Sequence, residues 1–167
     1  MKGNKGITLI ALVVTFIVLL ILAGVAIAML TGDNSILKRA QSTQAYSAIG
    51  AAKDEVNLAY NAAFAEYLKT KYESTNSTAE TKGFGNYMAE QLAAATTRTT
   101  NRNTSNGTTT IKVGGAAPSA STAITDGQEV EIQYTDNQTS KTFTTKATIT
   151  TSAENEKLSA WSAVVEN

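Results

Sequence analysis

Residues 7–30 read ITLIALVVTFIVLLILAGVAIAML, and this stretch decides what kind of chain this is. It carries no charge, and its only polar side chains are Thr8 and Thr15. As a helix rising about 1.5 Å per residue it spans roughly 36 Å, enough for the ~30 Å hydrocarbon core of a bilayer. Hydrocarbon offers the backbone no hydrogen-bond partner, so a crossing segment must satisfy itself as a helix. The threonine hydroxyls fit because each can donate to a carbonyl in the preceding turn.

Before this run stand residues 1–6, MKGNKG, short, polar and basic through Lys2 and Lys5. Three readings of the pair compete. A secretory signal has a basic start, but its apolar stretch runs only ~7–15 residues and ends at a small-residue cleavage site. A plain single-span anchor accounts for the length. The third reading rests on the junction Lys5-Gly6-Ile7-Thr8-Leu9-Ile10, which resembles the class III leader of type IV prepilins. The ITLIALVVT start is similar to that of Gram-positive pilins.

That resemblance covers roughly residues 2–40. It implies cleavage between Gly6 and Ile7 by a prepilin peptidase, N-methylation of the new Ile7 amine, and polymerisation through the apolar helix. A glycine before the cut makes physical sense, since a backbone without a side chain enters a narrow protease cleft. The family usually places Glu at the fifth residue after the cut, and here that position is Ala11. Glu there is thought to neutralise a neighbour's amine in the filament core. Without it a buried ammonium lacks its carboxylate partner, which is costly. Orientation is not fixed by charge, because Lys2 and Lys5 on one side face Lys38 and Arg39 on the other. The leader resemblance places the N-terminus in the cytoplasm.

Downstream, residues 31–35 (Thr31-Gly32-Asp33-Asn34-Ser35) break the apolar run. Gly32 suits the left-handed close of a helix, and Asp33 or Ser35 the cap of the next. The segment is either an ordinary interfacial turn or a hinge. Gly24, beside Ala23, Ala26 and Ala28, is a second weak point and a close-packing surface. Residues 36–73 then read as an amphipathic helix. Its apolar positions Ile36, Leu37, Ala40, Ala45, Ala48, Ile49, Ala52, Val56, Ala59, Tyr60, Ala63, Phe64, Tyr67 and Leu68 recur every three or four residues. Lys38, Arg39, Lys53, Asp54, Glu55, Glu66 and Lys69 are assigned to the other faces. The Ala-rich first half of the stripe, short of bulk, is assigned to neighbouring subunits. The aromatics Tyr46, Tyr60, Phe64, Tyr67 and Tyr72 read as core packing rather than a conduction path.

Residues 74–167 read as a globular head. The stretch 73–82 is turn-like, Gly83 to about Thr97 a short helix, and 96–110 a polar stretch that buries little. The period then changes to two: Ile111 and Val113 mark one strand, and Val130, Ile132 and Tyr134 a second. Phe143, Ala147 and Ile149 mark a third, with a bulge expected near Thr144-Thr145. Residues 136–140 form the turn between the last two, and Leu158, Trp161, Val164 and Val165 close the core. The expected fold class is α+β, a long N-terminal helix on a small antiparallel sheet.

Composition narrows the function. Lys+Arg 14 balance Asp+Glu 14, so no overall field draws the chain to nucleic acid. With no Cys there is no disulfide or thiolate metal site, and with no His the commonest general base and metal ligand are missing. Gly114-Gly115 lacks the Lys-Thr and helix of a phosphate loop. Asp33/Asn34 and Asp136/Asn137 lack the spaced acids of a calcium loop. Asn76, Asn103, Asn106 and Asn137 begin N-x-Ser/Thr sequons, which arise readily by chance in a Thr-rich chain. No catalytic residue, cofactor or metal is expected.

The residues and the resemblance together imply a non-enzymatic, membrane-inserted precursor. It passes from the cytoplasmic membrane to a self-polymerised extracellular filament for adhesion or motility. Its expected partners are other copies of itself, the prepilin peptidase and the pilus assembly machinery. Two further readings stand beside this one: a minor pilin or pseudopilin of a secretion or DNA-uptake system, and a membrane-anchored monomeric binding domain.

Overall fold

The computed structural model describes residues 5–31, 36–73, 82–152 and 155–167. Gly32 and Asp33 of the expected hinge, and nearly all of the turn-like 73–82 segment, lie outside them. The fold is α+β, and its contacts divide the chain into two units, Met1–Thr43 and Gln44–Asn167.

The first unit holds helix α1, Lys5–Thr31, and the opening residues of helix α2, Ile36–Glu73. The Thr15 hydroxyl donates to Leu12 O at 2.8 Å, so the polar group is internally satisfied. Ser42 and Thr43 do the same in α2, donating to Lys38 O and Arg39 O at 3.0 and 2.8 Å.

In the second unit α2 buries Ala45, Ile49, Ala52, Val56, Ala59 and Ala63, a stripe advancing by four and three. From Ala45 onward, therefore, the Ala-rich half covers its own core instead of being left for neighbouring subunits. The alanines let the helix approach closely. The missing bulk comes from Met88 and Leu92 in the next helix and from Ile111, Val130, Ile132 and Ile149 of the sheet. Helix α3, Phe84–Thr100, buries Phe84, Met88, Leu92, Ala95 and Thr99. It runs past the expected end near Thr97. The hydroxyls of Thr96, Thr97 and Thr100 each fold back onto the carbonyl four residues earlier, at 2.8 to 3.1 Å. Gly85 is required by close approach: a Cβ there would lie 2.0 Å from the backbone oxygen of Ile124.

Three full strands follow, β1 (Gly107–Val113), β2 (Gln128–Asp136) and β3 (Thr142–Thr150), with short β4 (Lys157–Leu158) and β5 (Val165–Glu166). All pairs are antiparallel, in the order β1-β2-β3-β4, with β5 also on β3. Strand β1 starts four residues before the expected Ile111, inside the polar stretch. Gly114 and Gly115 have φ of 56° and 86°, which a two-residue turn requires, and they return Ala116 against Val113. The β2–β3 turn is as expected. The Asp136 carboxylate accepts the Gln138 and Thr139 N–H groups at 2.8 and 2.9 Å.

The expected bulge at Thr144-Thr145 is absent. The β2–β3 register is continuous, with Gln133 opposite Thr144 and Ile132 opposite Thr145. Thr145 points inward, fully buried, between Phe143 and Ala147, and its hydroxyl donates to Ser162 O at 2.8 Å. The irregularity lies on the partner segment instead. Leu158 stands opposite Ile149 and Val165 opposite Thr144, so seven steps of the tail cover five of β3. Two serine hydroxyls bridge the surplus: Ser159 Oγ accepts Thr148 N–H at 2.8 Å, and Ser162 Oγ accepts Lys146 N–H at 3.0 Å. Leu158, Trp161 and Val164 pack on the core as expected. Val165 does not, for it lies in the edge strand and is 55% exposed.

Candidate functional site

The feature that sets this chain apart is α1. Between Leu9 and Met29 it is long and apolar enough to cross a membrane. Its large apolar side chains are exposed on every face, from 46% at Val13 to 70% at Leu20, whereas the head core is 0–9% exposed. An apolar surface of this extent is far beyond what a folded soluble domain leaves open, and it marks a lipid or protein contact. With no carboxylate or cation along it, the contact it can make is one of packing alone.

The expected site residues fall along this helix. Gly6 and Ile7 lie in its first turn and a half, since α1 begins at Lys5. Ala11 is exposed, so no carboxylate stands on the helix surface there. Gly24 is helical, with open space where a Cβ would stand, and it opens a small-residue surface with Ala23, Ala26 and Ala28. Gly32 and Asp33 lie outside the described residues.

The head offers little that resembles a reactive site. Tyr60, Phe64 and Tyr67 surround Phe84 with ring centroids 5.8 to 6.3 Å away, edge-on, which is core packing. Burial pushes the Tyr60 hydroxyl's pKa up, with Glu156 adding to the effect. A cavity of about 260 Å³ between α3 and the 114–124 loop has no charged residue in its lining, so nothing there favours acid–base chemistry. Among the described residues no group of three acids could hold a metal ion.

Three sequon asparagines are described, and the side-chain amide of each is already engaged. Asn103 bonds both backbone groups of Thr109, Asn137 donates to Thr104 O and Ser105 O, and Asn106 accepts from Gln138.

One cluster escapes sequence reading. Glu55 faces inward rather than outward: it is 7% exposed and accepts Arg98 Nε at 2.7 Å and Arg102 Nη2. The Arg98 hydrogen bond, aided by Arg102, outweighs burial and holds the Glu55 carboxyl below its ordinary range. The pair ties α2 to the end of α3. The available signal was Arg98 and Arg102 four residues apart at a helix end, beside a glutamate flanking the Ala52–Val56 stripe.

On the outer face of the sheet, Lys146 bridges Glu129 and Glu131 at 3.1 and 3.4 Å. Those two carboxylates push its pKa up. This is an exposed arrangement worth little in stability. No protein-family model, curated protein or solved structure matches the chain.

Proposed function

We propose that this chain is a structural subunit of an extracellular type IV pilus-like filament that polymerises through α1. The observation carrying the proposal is the wholly exposed, uncharged Leu9–Met29 helix joined in one chain to a separately packed α+β head. Such a surface needs a cover. Lipid provides it in the precursor, and the same helix of neighbouring copies provides it in the filament. The Lys5-Gly6-Ile7 junction supplies a route between the two states, since removal of residues 1–6 discards the basic leader ahead of the apolar run. The subunit's role is mechanical, its partners being its own copies, the prepilin peptidase and the assembly machinery.

A second reading has its own support. Ala11 provides no carboxylate for the amine that cleavage would expose at Ile7, and an unpaired ammonium is costly in an apolar core. That favours either a minor or pseudopilin position, with few α1–α1 contacts, or a membrane-anchored monomeric head.

Intact-mass analysis of protein sheared from the cell surface, with electron microscopy of the same fraction, separates the readings. The filament reading expects a chain beginning at Ile7, one methyl group heavier than its sequence, in abundant filaments. A chain that keeps residues 1–6, stays in the membrane fraction and forms no filaments would establish the anchored monomer.

A further inference from the structure

Strand β1 is the open edge of the sheet, and its outward-facing backbone is closed by residues from outside the sheet. Gly114 N–H donates to Glu129 O at 3.0 Å, which fixes the even-numbered residues of β1 as those bonded to β2. Gly107, Thr109, Ile111 and Val113 therefore direct their N–H and C=O groups away from β2. Gly107 exchanges both bonds with Thr104, at 3.1 and 3.3 Å, and Val113 does so with Ala116, at 2.7 and 3.1 Å. Thr109, between them, is met by a side chain. Asn103 Oδ1 accepts Thr109 N–H at 2.6 Å, and Asn103 Nδ2 donates to Thr109 O at 3.3 Å. A carboxamide can present an N–H donor and a C=O acceptor in one plane, as a peptide unit does. Asn103 thus supplies what a neighbouring strand residue would.

We propose that Asn103 is an edge cap that keeps β1 from pairing with β1 of a second copy of this chain. The sequence of the strand makes that partner the relevant one. G-T-T-T-I-K-V is rich in β-branched residues, holds one charge and has no proline, which is the composition of a strand prone to edge pairing. An antiparallel two-fold pair centred on Thr110 sets Thr109 against the partner's Ile111, the two positions open once Asn103 is gone, and Lys112 against the partner's Thr108. No like charges then oppose each other, and the contact is self-complementary. Ile111 is the one outward position of the four without such a cap among the described residues. A single uncapped residue is too short to seed a ladder while Thr109 stays occupied. The cap acts whether the heads stand close together in a filament or sit singly on a membrane.

The test uses the full chain in detergent micelles, comparing wild type with Asn103→Ala and Asn103→Asp by amide hydrogen exchange. With at most one chain per micelle, so that no second β1 can replace the lost acceptor, the Thr109 amide exchanges about tenfold faster in Asn103→Ala, with Val130 and Ile132 unchanged. Asn103→Asp keeps the acceptor, so Thr109 stays protected. This second variant reads out the cap even if the alanine variant proves unstable.

Pairing is read separately. The chain has no native cysteine, so Thr110→Cys can be introduced together with Asn103→Ala, placing each cysteine opposite its copy in the pair. That double variant should form a disulfide-linked dimer under mild oxidation, and Thr110→Cys with Asn103 intact should not. Equal Thr109 exchange in wild type and Asn103→Ala overturns the cap. So does loss of Thr109 protection in Asn103→Asp while Val130 and Ile132 stay protected. Equal cross-linking with and without Asn103 overturns its role in blocking the pair.

Discussion

Helix α1 and the inner stripe of α2 are both apolar, yet they meet opposite surroundings. In α1 the apolar residues run all the way round, and each of the large ones is about half exposed or more. In α2, from Ala45 to Ala63, they occupy one line, and that line is buried against α3 and the sheet. Burial is therefore set by periodicity rather than by apolar content. A helix with one apolar stripe can hide it inside its own domain, while a helix without a polar face needs an apolar surrounding from outside.

The sharpest way to break this comparison is to make the same substitution in both settings. Leu92 in α3 is fully buried and Leu20 in α1 is 70% exposed. Leu92→Ala should destabilise the head by about 2–5 kcal/mol, from lost burial plus the cavity left behind. Leu20→Ala should leave the head unchanged. The single tryptophan, Trp161, packs on the head core and reports its urea unfolding without interference from α1. A comparable shift for Leu20→Ala would mean that α1 contributes to the head's stability and is not set apart from it.

Legibility followed the same division. The apolar run of α1, the periodicity of the α2 stripe (though not that its Ala-rich half is buried within the head) and the alternation of Val130, Ile132 and Tyr134 could be read directly, because each is an uninterrupted pattern of one period. What could not be read were inward positions filled by polar residues. Thr145 occupies a core site in β3, but threonine there looks like a slip in the alternation. Its burial depends on a carbonyl at Ser162, 17 residues on. Glu55 looks like solvent decoration beside Lys53 and Asp54, and its partners lie 43 and 47 residues away. The start of β1 was hidden in a Thr- and Asn-rich stretch for a similar reason. Asn103 pairs with the strand through its side chain, which leaves no hydrophobic trace. Of the candidate site, the apolar surface was fully legible, while the edge cap and the Glu55 cluster were not.

Charge is the second point of contrast, since α1 has none between Leu9 and Met29 and the head core has Glu55. Glu55→Gln keeps the shape but weakens two charge-assisted bonds. The expected loss at neutral pH is about 1–2 kcal/mol, held down because both arginines are substantially exposed. The pH dependence has a definite sign. Arg98 holds the folded carboxyl below its ordinary value of 4.5, so the unfolded chain takes up the proton first. The stabilisation is fully present above about 4.5 and is lost as the pH falls through the lower, folded value. Urea titrations of wild type and Glu55→Gln should stay separated down to that point and converge below it. Convergence already at neutral pH would mean that Glu55 owes its position to packing alone.

The smallest effect concerns two helical glycines, one on each side of the comparison. Gly50 in α2 and Gly24 in α1 both have open space where a Cβ would go, and neither has positive φ. At such a site alanine narrows the unfolded ensemble and costs the folded helix nothing, so Gly50→Ala should stabilise the head by about 0.5–1 kcal/mol. Gly24→Ala should leave the Trp161 unfolding curve unmoved, because its helix is not part of what unfolds there. Any effect of Gly24→Ala must then appear in the function of α1. In the filament reading, a helix that bends or packs closely at Gly24 loses assembled filament on gaining a methyl group, with membrane insertion unchanged. Undiminished filament yield from Gly24→Ala would assign the flexibility needed for assembly to another point in the chain.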